Sequence, residues 1–399
     1  MTIPKMTDIS LSNKKVFFRA DLNVPVNKNG EITDDSRVKA TMPGISYALN
    51  AGAALMVTSH LGRPKEGKWD KKYSLLGIAN LLAARLGKPV RLIENWFDGF
   101  NVMPGEMVVL ENCRFNTGEK INDVTLSRKI AGLCDIYVND AFASAHRTES
   151  TTVGTANYAK VACAGPLMLD EIRALSRALN DPKKPLVAIV GGSKVSTKLP
   201  VLYRLADLVD HLIVGGGIAN TFLFAHGVSV GRSLVEEELG DRALEIVKKI
   251  KEKGGSCPLP EDVLCSQEID ENASVEIKKV EKILDYEMIL DVGPKTTEKY
   301  KKILREAGTI VWNGPLGVFE LDKFANGTKN VAESIETSQA FSIAGGGDTL
   351  AAMNKFGTKK VDYISTAGGA FLEFLEGKTL PAIAALNSRG REGALKQNS

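Results

Sequence analysis

Short, continuous apolar runs alternate along the chain with longer amphipathic stretches. Continuous runs, unlike alternating ones, are typical of strands that are buried on both faces. Such runs occur at residues 16–18, 54–57, 107–110, 136–138, 186–190, 212–214, 288–290, 310–312, 341–344 and 363–364. Residues 75–86, 243–253 and 296–307 have the helical spacing of apolar positions. The pattern predicts an α/β fold with parallel sheets covered by helices.

Polar and basic residues follow the predicted strands of the amino-terminal half. Ligands bind outside the carboxyl ends of strands in open parallel sheets. The side chains that follow these strands are Asp21, Asn23, His60, Arg63, Arg114, His146 and Arg147. Arg37 lies just inside a predicted helix instead. A single arginine is usually a surface ion pair, but several at one sheet edge predict a site for a small phosphorylated acid.

Glycine-rich loops follow the predicted strands of the second half, at residues 191–194, 215–217, 313–315, 345–349 and 366–369. Glycine allows close backbone approach to a ligand, and a following helix directs free N–H groups at an anion. Lys194, Lys198 and Asp348 lie in or next to these loops. Lysine binds phosphate and a carboxylate can hold Mg²⁺, which indicates a nucleotide site. The alternative for Asp348 is a helix N-cap.

Several common site motifs are missing from the sequence. Residues 191–198 lack the second glycine of a Walker loop, and the strand-end loops contain no GxGxxG. The protein-kinase triplets HRD and DFG and the zinc motif HExxH do not occur either. The glycine loops therefore match none of these standard nucleotide motifs.

Composition narrows the class of protein. At 399 residues, with 44% hydrophobic and 25% charged residues, the chain is globular and long enough for two domains. A net charge of +3 is too small to indicate nucleic acid or an anionic membrane as partner. The five cysteines include no CxxC pair, which favours reduced thiols and a cytoplasmic location. The amino terminus has no apolar segment typical of a secretion signal.

Prolines at positions 166, 182 and 185 flank a predicted helix and mark a domain boundary. We predict an amino-terminal domain over residues 1–168 and a carboxy-terminal domain over residues 169–388, which includes a linker helix over 167–180. Residues 389–399 are predicted to be a tail. Because apolar residues are sparse from Asn387 onward, we expect this end to be poorly ordered.

Seven segments together resemble the phosphoglycerate kinase family. They are RADLNVP at 19–25, SHLGRP at 59–64, ENCRF at 111–115, VNDAF at 138–142, GGSKV at 191–195, VWNGPLGVFE at 311–320 and GGGDT at 345–349. Their order and spacing also match, and the resemblance extends to about Ser388. It is closest to the bacterial type, although the tail after Ser388 and Ala367, where the family often has glycine, depart from the pattern.

The resemblance implies two doubly wound, Rossmann-like parallel-sheet domains joined by a hinge helix. The implied activity is reversible, in-line phosphoryl transfer from 1,3-bisphosphoglycerate to Mg-ADP, giving 3-phosphoglycerate and Mg-ATP in glycolysis and gluconeogenesis. Closure of the hinge would exclude water. We expect a monomer that binds these small molecules and neither nucleic acid nor membrane.

The resemblance also assigns roles to individual residues. The substrate-binding residues are Asp21, Asn23, Arg37, His60, Arg63, Arg114 and Arg147. The nucleotide-binding residues are Gly192, Lys194, Lys198, Gly215, Gly216, Asn313, Glu320, Gly345, Gly346, Gly347, Asp348 and Thr349. The catalytic residues are Arg37, Lys194, Gly346 and Gly369. Glu320 would contact the ribose hydroxyls, and Asp348 would hold the Mg²⁺ that comes with ADP or ATP.

Two other classes of protein share the two-lobed architecture. The first is an NAD-dependent dehydrogenase, against which the missing GxGxxG argues. The second is a ligand-binding protein without catalysis, and the missing secretion signal argues against the exported kind. Turnover of ADP to ATP would separate a kinase from both.

Overall fold

The computed structural model describes residues 3–28 and 30–397, without the side chains of residues 392–397. The chain forms two compact units. The first contains residues up to Ile172 together with the residues from Thr379 onward, and the second spans Arg173–Lys378. The units differ from the predicted domains in two places. The first continues to Ile172 rather than ending at 168, and residues 379–388 group with it rather than with the second.

The first unit is built on a six-stranded sheet in which every pair of neighbours is parallel. Its strands are β1 (Lys15–Ala20), β2 (Ala54–Thr58), β3 (Arg91–Ile93), β4 (Met107–Leu110), β5 (Ile136–Asp140) and β6 (Val161–Ala164). Its helices are α1 (Ser36–Asn50), α2 (Leu76–Leu86), α3 (Val124–Gly132) and α4 (Thr155–Tyr158). The strand order is β3-β4-β2-β1-β5-β6, so the sheet grows outward from β1 on both sides. Such a switch of direction opens a crevice at the strands' carboxyl ends.

The second unit contains a five-stranded parallel sheet of order β14-β13-β12-β7-β8. Its strands are β7 (Leu186–Gly191), β8 (His211–Gly215), β12 (Thr309–Asn313), β13 (Phe341–Gly345) and β14 (Tyr363–Ser365). Helix α5 (Pro166–Leu179) crosses the boundary between the units. The α-helices of the second unit are α6 (Leu199–Ala206), α7 (Gly216–Ala225), α8 (Gly240–Glu252), α9 (Pro294–Glu306), α10 (Asn326–Thr337), α11 (Gly347–Phe356) and α12 (Gly369–Leu375), and α13 (Pro381–Gln397) belongs to the first unit. The parallel α/β prediction is confirmed in both units.

A separate antiparallel sheet, of order β10-β9-β11, also belongs to the second unit. Its strands are β9 (Asp262–Ser266), β10 (Glu276–Lys279) and β11 (Met288–Val292). The apolar run at 288–290 was expected in a parallel sheet, and that expectation is wrong. A continuous apolar run shows that a strand is buried, but it carries no information about the direction of its neighbour.

The end of the chain is helical. Helix α13 continues to Gln397 and so runs through residues 389–397 of the predicted tail. The expectation of poor order from Asn387 stays a prediction. Ala382, Ile383 and Leu386 bury the first turns of the helix. Arg389 then donates from a terminal guanidinium nitrogen to the carbonyl oxygen of Ala159 at 2.7 Å. Helix α13 has no long apolar face, so a few buried side chains and one side-chain hydrogen bond hold it in place instead.

Most strands of the two parallel sheets bury apolar surface on both faces, as their sequences predict. In the first unit, Val16 and Phe18 of β1 pack with Val57 and Val138 of the neighbouring strands. All five cysteines are buried and unpaired, and burial raises the pKa of their thiols. Among the described residues, no helix combines the length and the apolar character needed to cross a bilayer.

Candidate active site

Asp21 and Arg37 form an ion pair at the carboxyl end of β1. Arg37, the second residue of α1, donates from Nη1 to Oδ2 of Asp21 at 2.6 Å. The other carboxylate oxygen of Asp21 is buried and has no hydrogen-bond partner among the described residues. A buried acceptor without a partner is unfavourable unless a ligand satisfies it. Asp21 is therefore placed to accept a hydrogen bond from a ligand hydroxyl.

His60 is buried in the loop after β2, where it meets the guanidinium group of Arg19 from the neighbouring strand. The distance between Arg19 Nη2 and His60 Nδ1 is 3.2 Å. Burial first, and then the positive charges of Arg19, Arg114, Arg147 and Arg37, hold the pKa of His60 well below its usual value. His60 is consequently neutral at pH 7, and four guanidinium groups lie close enough to influence it.

Arg114 is held in place from two sides. It donates from Nη1 to the carbonyl oxygen of Gly62 at 2.6 Å and from Nη2 to Glu149 Oε1 at 3.2 Å. Its Nε is buried without a partner among the described residues. Arg147 Nη1 lies 3.9 Å from the same Glu149 oxygen. Glu149 thus orients both arginines while balancing only part of their charge.

The remaining two predicted residues belong to the same cluster. Asn23 accepts a hydrogen bond from the Gly62 N–H at 2.9 Å, which fixes the loop that precedes Arg63. Arg63 is exposed. Burial lowers the pKa of Arg147, and the charges of Arg114, Arg19 and Arg63 act in the same direction. Contacts and charge effects therefore connect all seven predicted substrate residues within the first unit.

Sequence reasoning gave no site role to Arg19 or Glu149. Arg19 is fully buried although it lies in the apolar strand β1. A charged residue within a continuous apolar run was a usable signal, because a buried charge needs partners. No comparable signal marked Glu149, whose importance comes only from the two arginines that it contacts.

The glycine loops of the second unit bring backbone groups close together. Gly216 begins α7 at a φ of +62°, and a Cβ there would lie 2.7 Å from the carbonyl oxygen of Gly192. Gly346 precedes α11 at a φ of +100°. Both positions favour glycine. In α7 the Gly216 N–H donates to the carbonyl oxygen of Leu316 at 2.8 Å and the Ile218 N–H to that of Gly192 at 3.2 Å. The amino terminus of α11 is therefore the better placed of the two to donate to an anion.

Lys198 connects two of these loops. Its ammonium group donates to the carbonyl oxygen of Gly191 at 2.6 Å, and to the carbonyl oxygen and Oδ1 of Asn313 at 3.0 and 2.7 Å. Burial lowers the pKa of Lys198 to about 8, against the opposing effect of Asp348. Because an ammonium group has only three protons, a phosphate must displace one of these protein oxygens to reach it.

Asn313 and Thr349 extend the same network to the end of β13. Asn313 donates from Nδ2 to the carbonyl oxygen of Gly345 at 2.8 Å. The Thr349 hydroxyl donates to that oxygen at 2.9 Å and accepts from the Gly314 N–H at 2.8 Å. Gly347 then begins α11. These residues shape the loop rather than present free side chains to a ligand.

A cavity of about 460 Å³ opens beside the glycine loops, wholly within the second unit. Gly192, Gly216, Glu320 and Asp348 of the predicted nucleotide site line it. Its apolar wall includes Leu223, Leu234, Val263, Leu290 and Val318. Part of that wall comes from β9 and β11 of the antiparallel sheet, which the sequence did not associate with the site. The cavity therefore combines an apolar wall with backbone anion donors.

Asp348 is the second residue of α11, and its side chain is exposed. The N-cap of that helix is Gly346, so the alternative role of Asp348 as an N-cap is wrong. The described residues contain no group of three His, Cys, Asp or Glu that could hold a metal ion by themselves. A single carboxylate fits Mg²⁺ bound to a nucleotide, because that ion takes one or two protein ligands and completes its shell with water and phosphate.

Besides Gly346, two further catalytic candidates lie in the second unit. Lys194 is exposed in the loop after β7. Ser196 of the same loop donates from its backbone N–H to Glu236 at 2.8 Å, which ties the loop to a neighbouring segment. Gly369 is the first residue of α12. Gly215 ends β8 directly before α7, so its carbonyl and N–H belong to the same strand-to-helix turn.

Residues 6–378 match the family described as phosphoglycerate kinase. The chain belongs to the phosphoglycerate kinase family. A solved phosphoglycerate kinase from Coxiella burnetii is 53% identical, with a TM-score of 0.94, over 97% of this chain and 100% of that one. The phosphoglycerate kinase from Pyrococcus horikoshii OT3 is 33% identical, with a TM-score of 0.81, over 98% of this chain and 100% of that one.

Membership of the phosphoglycerate kinase family makes the chain a kinase, a phosphotransferase of glycolysis. The two-domain α/β architecture agrees with that of the solved phosphoglycerate kinases. The comparisons give no support to the dehydrogenase alternative.

Proposed function

We propose that the chain transfers a phosphoryl group reversibly between 1,3-bisphosphoglycerate and Mg-ADP, as a cytoplasmic monomer. The observation that supports this most strongly is the cluster around His60, whose pKa is lowered by burial and then by the charges of four arginines. Such a cluster suits a small substrate that carries both phosphate and carboxylate groups. We infer no nucleic-acid or membrane partner.

The triose substrate binds in the first unit. Arg63, Arg114 and Arg147 supply charge-assisted hydrogen bonds to its terminal phosphate. Asp21, with one buried oxygen that has no partner among the described residues, accepts from a substrate hydroxyl. His60 and Asn23 complete the polar contacts.

The nucleotide binds in the cavity of the second unit. Its base lies against the apolar wall that includes Leu290, and Glu320 accepts from the ribose hydroxyls. The helix amino terminus at Gly347 points its N–H groups at the phosphates, and Gly216 lets the backbone approach them closely. Asp348 would hold Mg²⁺, which neutralises charge on the phosphate oxygens when it is bound.

Phosphoryl transfer requires positioning and charge stabilisation more than covalent help. Arg37 and Lys194 would flank the transferring group, and the backbone N–H groups near Gly346 and Gly369 would donate to its oxygens. Hinge closure would remove water, which could otherwise accept the phosphoryl group.

The direct test is a coupled assay that follows ADP formation from ATP in the presence of 3-phosphoglycerate. We expect ADP formation that depends on 3-phosphoglycerate, on ATP and on Mg²⁺, with each omitted in turn as a control. Folded protein that forms no ADP under these conditions would rule out the proposal. A parallel measurement of NADH absorbance tests the dehydrogenase class.

A further inference from the structure

A fully buried chain of hydrogen bonds lies behind the substrate cluster, and none of its members beyond His60 has a role so far. Arg19 donates from Nε to the hydroxyl of Thr151 at 3.1 Å. That hydroxyl lies 2.5 Å from Oε1 of Glu119, which also accepts from the Thr151 backbone N–H. All three residues have 0% exposed surface. Solvent therefore cannot substitute for any of them.

The polarity of this chain is fixed by chemistry. A guanidinium group donates hydrogen bonds and accepts none, so the Thr151 hydroxyl must accept from Arg19. The single proton of that hydroxyl points to Oε1 of Glu119 when this carboxyl is ionised, at a distance that suits a hydrogen bond. Burial raises the pKa of Glu119 to about 7, so this direction holds above that pH. Glu119 thus orients Thr151, and Thr151 in turn holds Nε of Arg19.

The same rule fixes the histidine at the other end. Arg19 Nη2 lies 3.2 Å from His60 Nδ1 and can only donate, so Nδ1 carries a lone pair and no proton. Neutral imidazole then has its proton on Nε2. The hydrogen bond of His60 within the described ranges involves Nδ1 and leaves Nε2 unused, so the Nε2–H is available to an acidic substrate.

We propose that Glu119 and Thr151 are positioning residues, which hold Arg19 so that His60 presents an Nε2–H donor to the substrate. This inference rests on the proposed function for the placement of the substrate at His60. The tautomer itself does not depend on that function. Substrate binding would suffer in variants that break the chain, while the nucleotide site, in the other unit, would be unaffected.

Nitrogen-15 NMR of the histidine rings tests the tautomer in the unmodified protein. The chain has only four histidines, and His60→Gln identifies the signals of His60 by their loss. We expect a neutral ring with the proton on Nε2 between about pH 6 and 8. A proton on Nδ1, or a charged ring in that range, would overturn the proposal without any further variant.

Thr151→Val keeps the shape of the side chain and removes its hydroxyl. We expect the KM for 3-phosphoglycerate to rise about tenfold, with kcat and the KM for ATP within about twofold, because uniform binding is lost. The NMR signals of His60 should shift toward a mixture of tautomers. Thr151→Ser restores a hydroxyl and should return both readouts close to those of the unmodified protein.

Thr155→Val is the matched control. Thr155 is equally buried in the adjacent turn, and its hydroxyl donates to the carbonyl oxygen of Ser150 at 2.8 Å. This variant loses a buried hydroxyl but should leave the KM for 3-phosphoglycerate and the His60 signals unchanged. If Thr151→Val and Thr155→Val changed the KM for 3-phosphoglycerate and the His60 signals equally, Thr151 would have only a structural role. An unmodified protein without turnover would count against the proposed function, while the NMR result would still decide the tautomer.

Discussion

Arg37 donates a hydrogen bond from one terminal guanidinium nitrogen to Asp21, and it lies at the edge of the substrate cluster. We expect Arg37→Ala to lower kcat by about 10²–10³-fold, as the loss of one transition-state donor does in comparable sites. The affinity for ADP should stay nearly unchanged, because the nucleotide cavity lies in the other unit. Steady-state kinetics and calorimetry measure the two effects.

Arg85→Ala is the control for that substitution. Arg85 also pairs with an aspartate, Asp35, but this pair lies outside the substrate cluster. The control should retain turnover. If Arg37→Ala kept turnover within about twofold of the unmodified protein, Arg37 would not serve as a transition-state donor.

A substitution of Asp348 can test its proposed role as a metal ligand without disturbing the fold. Because Gly346 is the N-cap of α11, Asp348→Asn removes a charge without removing a cap. We expect Mg-ADP binding to weaken far more than metal-free ADP binding, since the charge matters most when it meets the metal. Calorimetry with Mg²⁺ and with a chelator gives the comparison.

Asp241→Asn provides a matched substitution for Asp348→Asn. Asp241 is the exposed second residue of α8, which also begins with glycine, and it does not line the cavity. The Asp241→Asn variant should keep the affinities for Mg-ADP and for metal-free ADP unchanged. Equal losses with and without Mg²⁺ in Asp348→Asn would exclude a metal ligand at this position.

The sequence predicted which residues gather at the sheet edge better than it predicted their hydrogen-bond partners. Asp21, His60 and Arg114 follow strands, and the edge of a parallel sheet brings such positions together regardless of sequence distance. Glu149 could not be predicted in this way, because its role depends on side-chain directions after folding. The three hydrogen bonds of Lys198 to protein oxygens were hidden for the same reason.

At the scale of elements, Asp140 connects the end of β5 to the start of α5. Its Oδ1 accepts from the Met168 N–H at 3.0 Å, and burial raises the pKa of its carboxyl to about 7. The folded protein therefore holds this proton more tightly than the unfolded chain. The stability that this gives is full below the unfolded pKa of about 4 and is lost as the pH rises through about 7.

We expect Asp140→Asn to reduce the fall in stability between pH 5 and pH 7, by up to about 1.4 kcal/mol per pH unit. An asparagine oxygen can still accept from Met168, while no charge is left to bury. Urea unfolding at several pH values measures the slope. A Trp312→Phe background confines the fluorescence to Trp69 and Trp96 of the first unit. An unchanged slope would show that Asp140 does not titrate in this range.

Strands were predicted correctly where the local run of apolar residues was strong. Strands such as β7, a run of five apolar residues before glycine, were found from the sequence. β10, with the sequence EIKK and mostly exposed, has no such run and was missed. β6, with the sequence VACA, is short and built from small residues, so it also lacked a signal. β10 and β6 form because they pair with strands that are distant in sequence, and a short segment of the sequence contains no information about such partners.

At the scale of the whole molecule, the proposed substrate cluster and the nucleotide cavity are formed by separate compact units. Each substrate can therefore bind to its own unit without the other. Direct phosphoryl transfer nevertheless requires the two substrates to meet, with reacting atoms about 3–3.5 Å apart. The division of the chain thus predicts that each substrate binds independently of the other, whereas closure of the two units depends on both.

We expect the two units to close fully only when both substrates are bound. A ligand shifts a conformational equilibrium only by its difference in affinity between the two states, and one substrate alone contacts one unit. Small-angle scattering with 3-phosphoglycerate, with a non-hydrolysable ATP analogue and with both measures the radius of gyration. The largest decrease should occur with both ligands, and Arg37→Ala should reduce that decrease if Arg37 contacts the transferring group. A decrease that is as large with one ligand as with two would contradict the requirement for both.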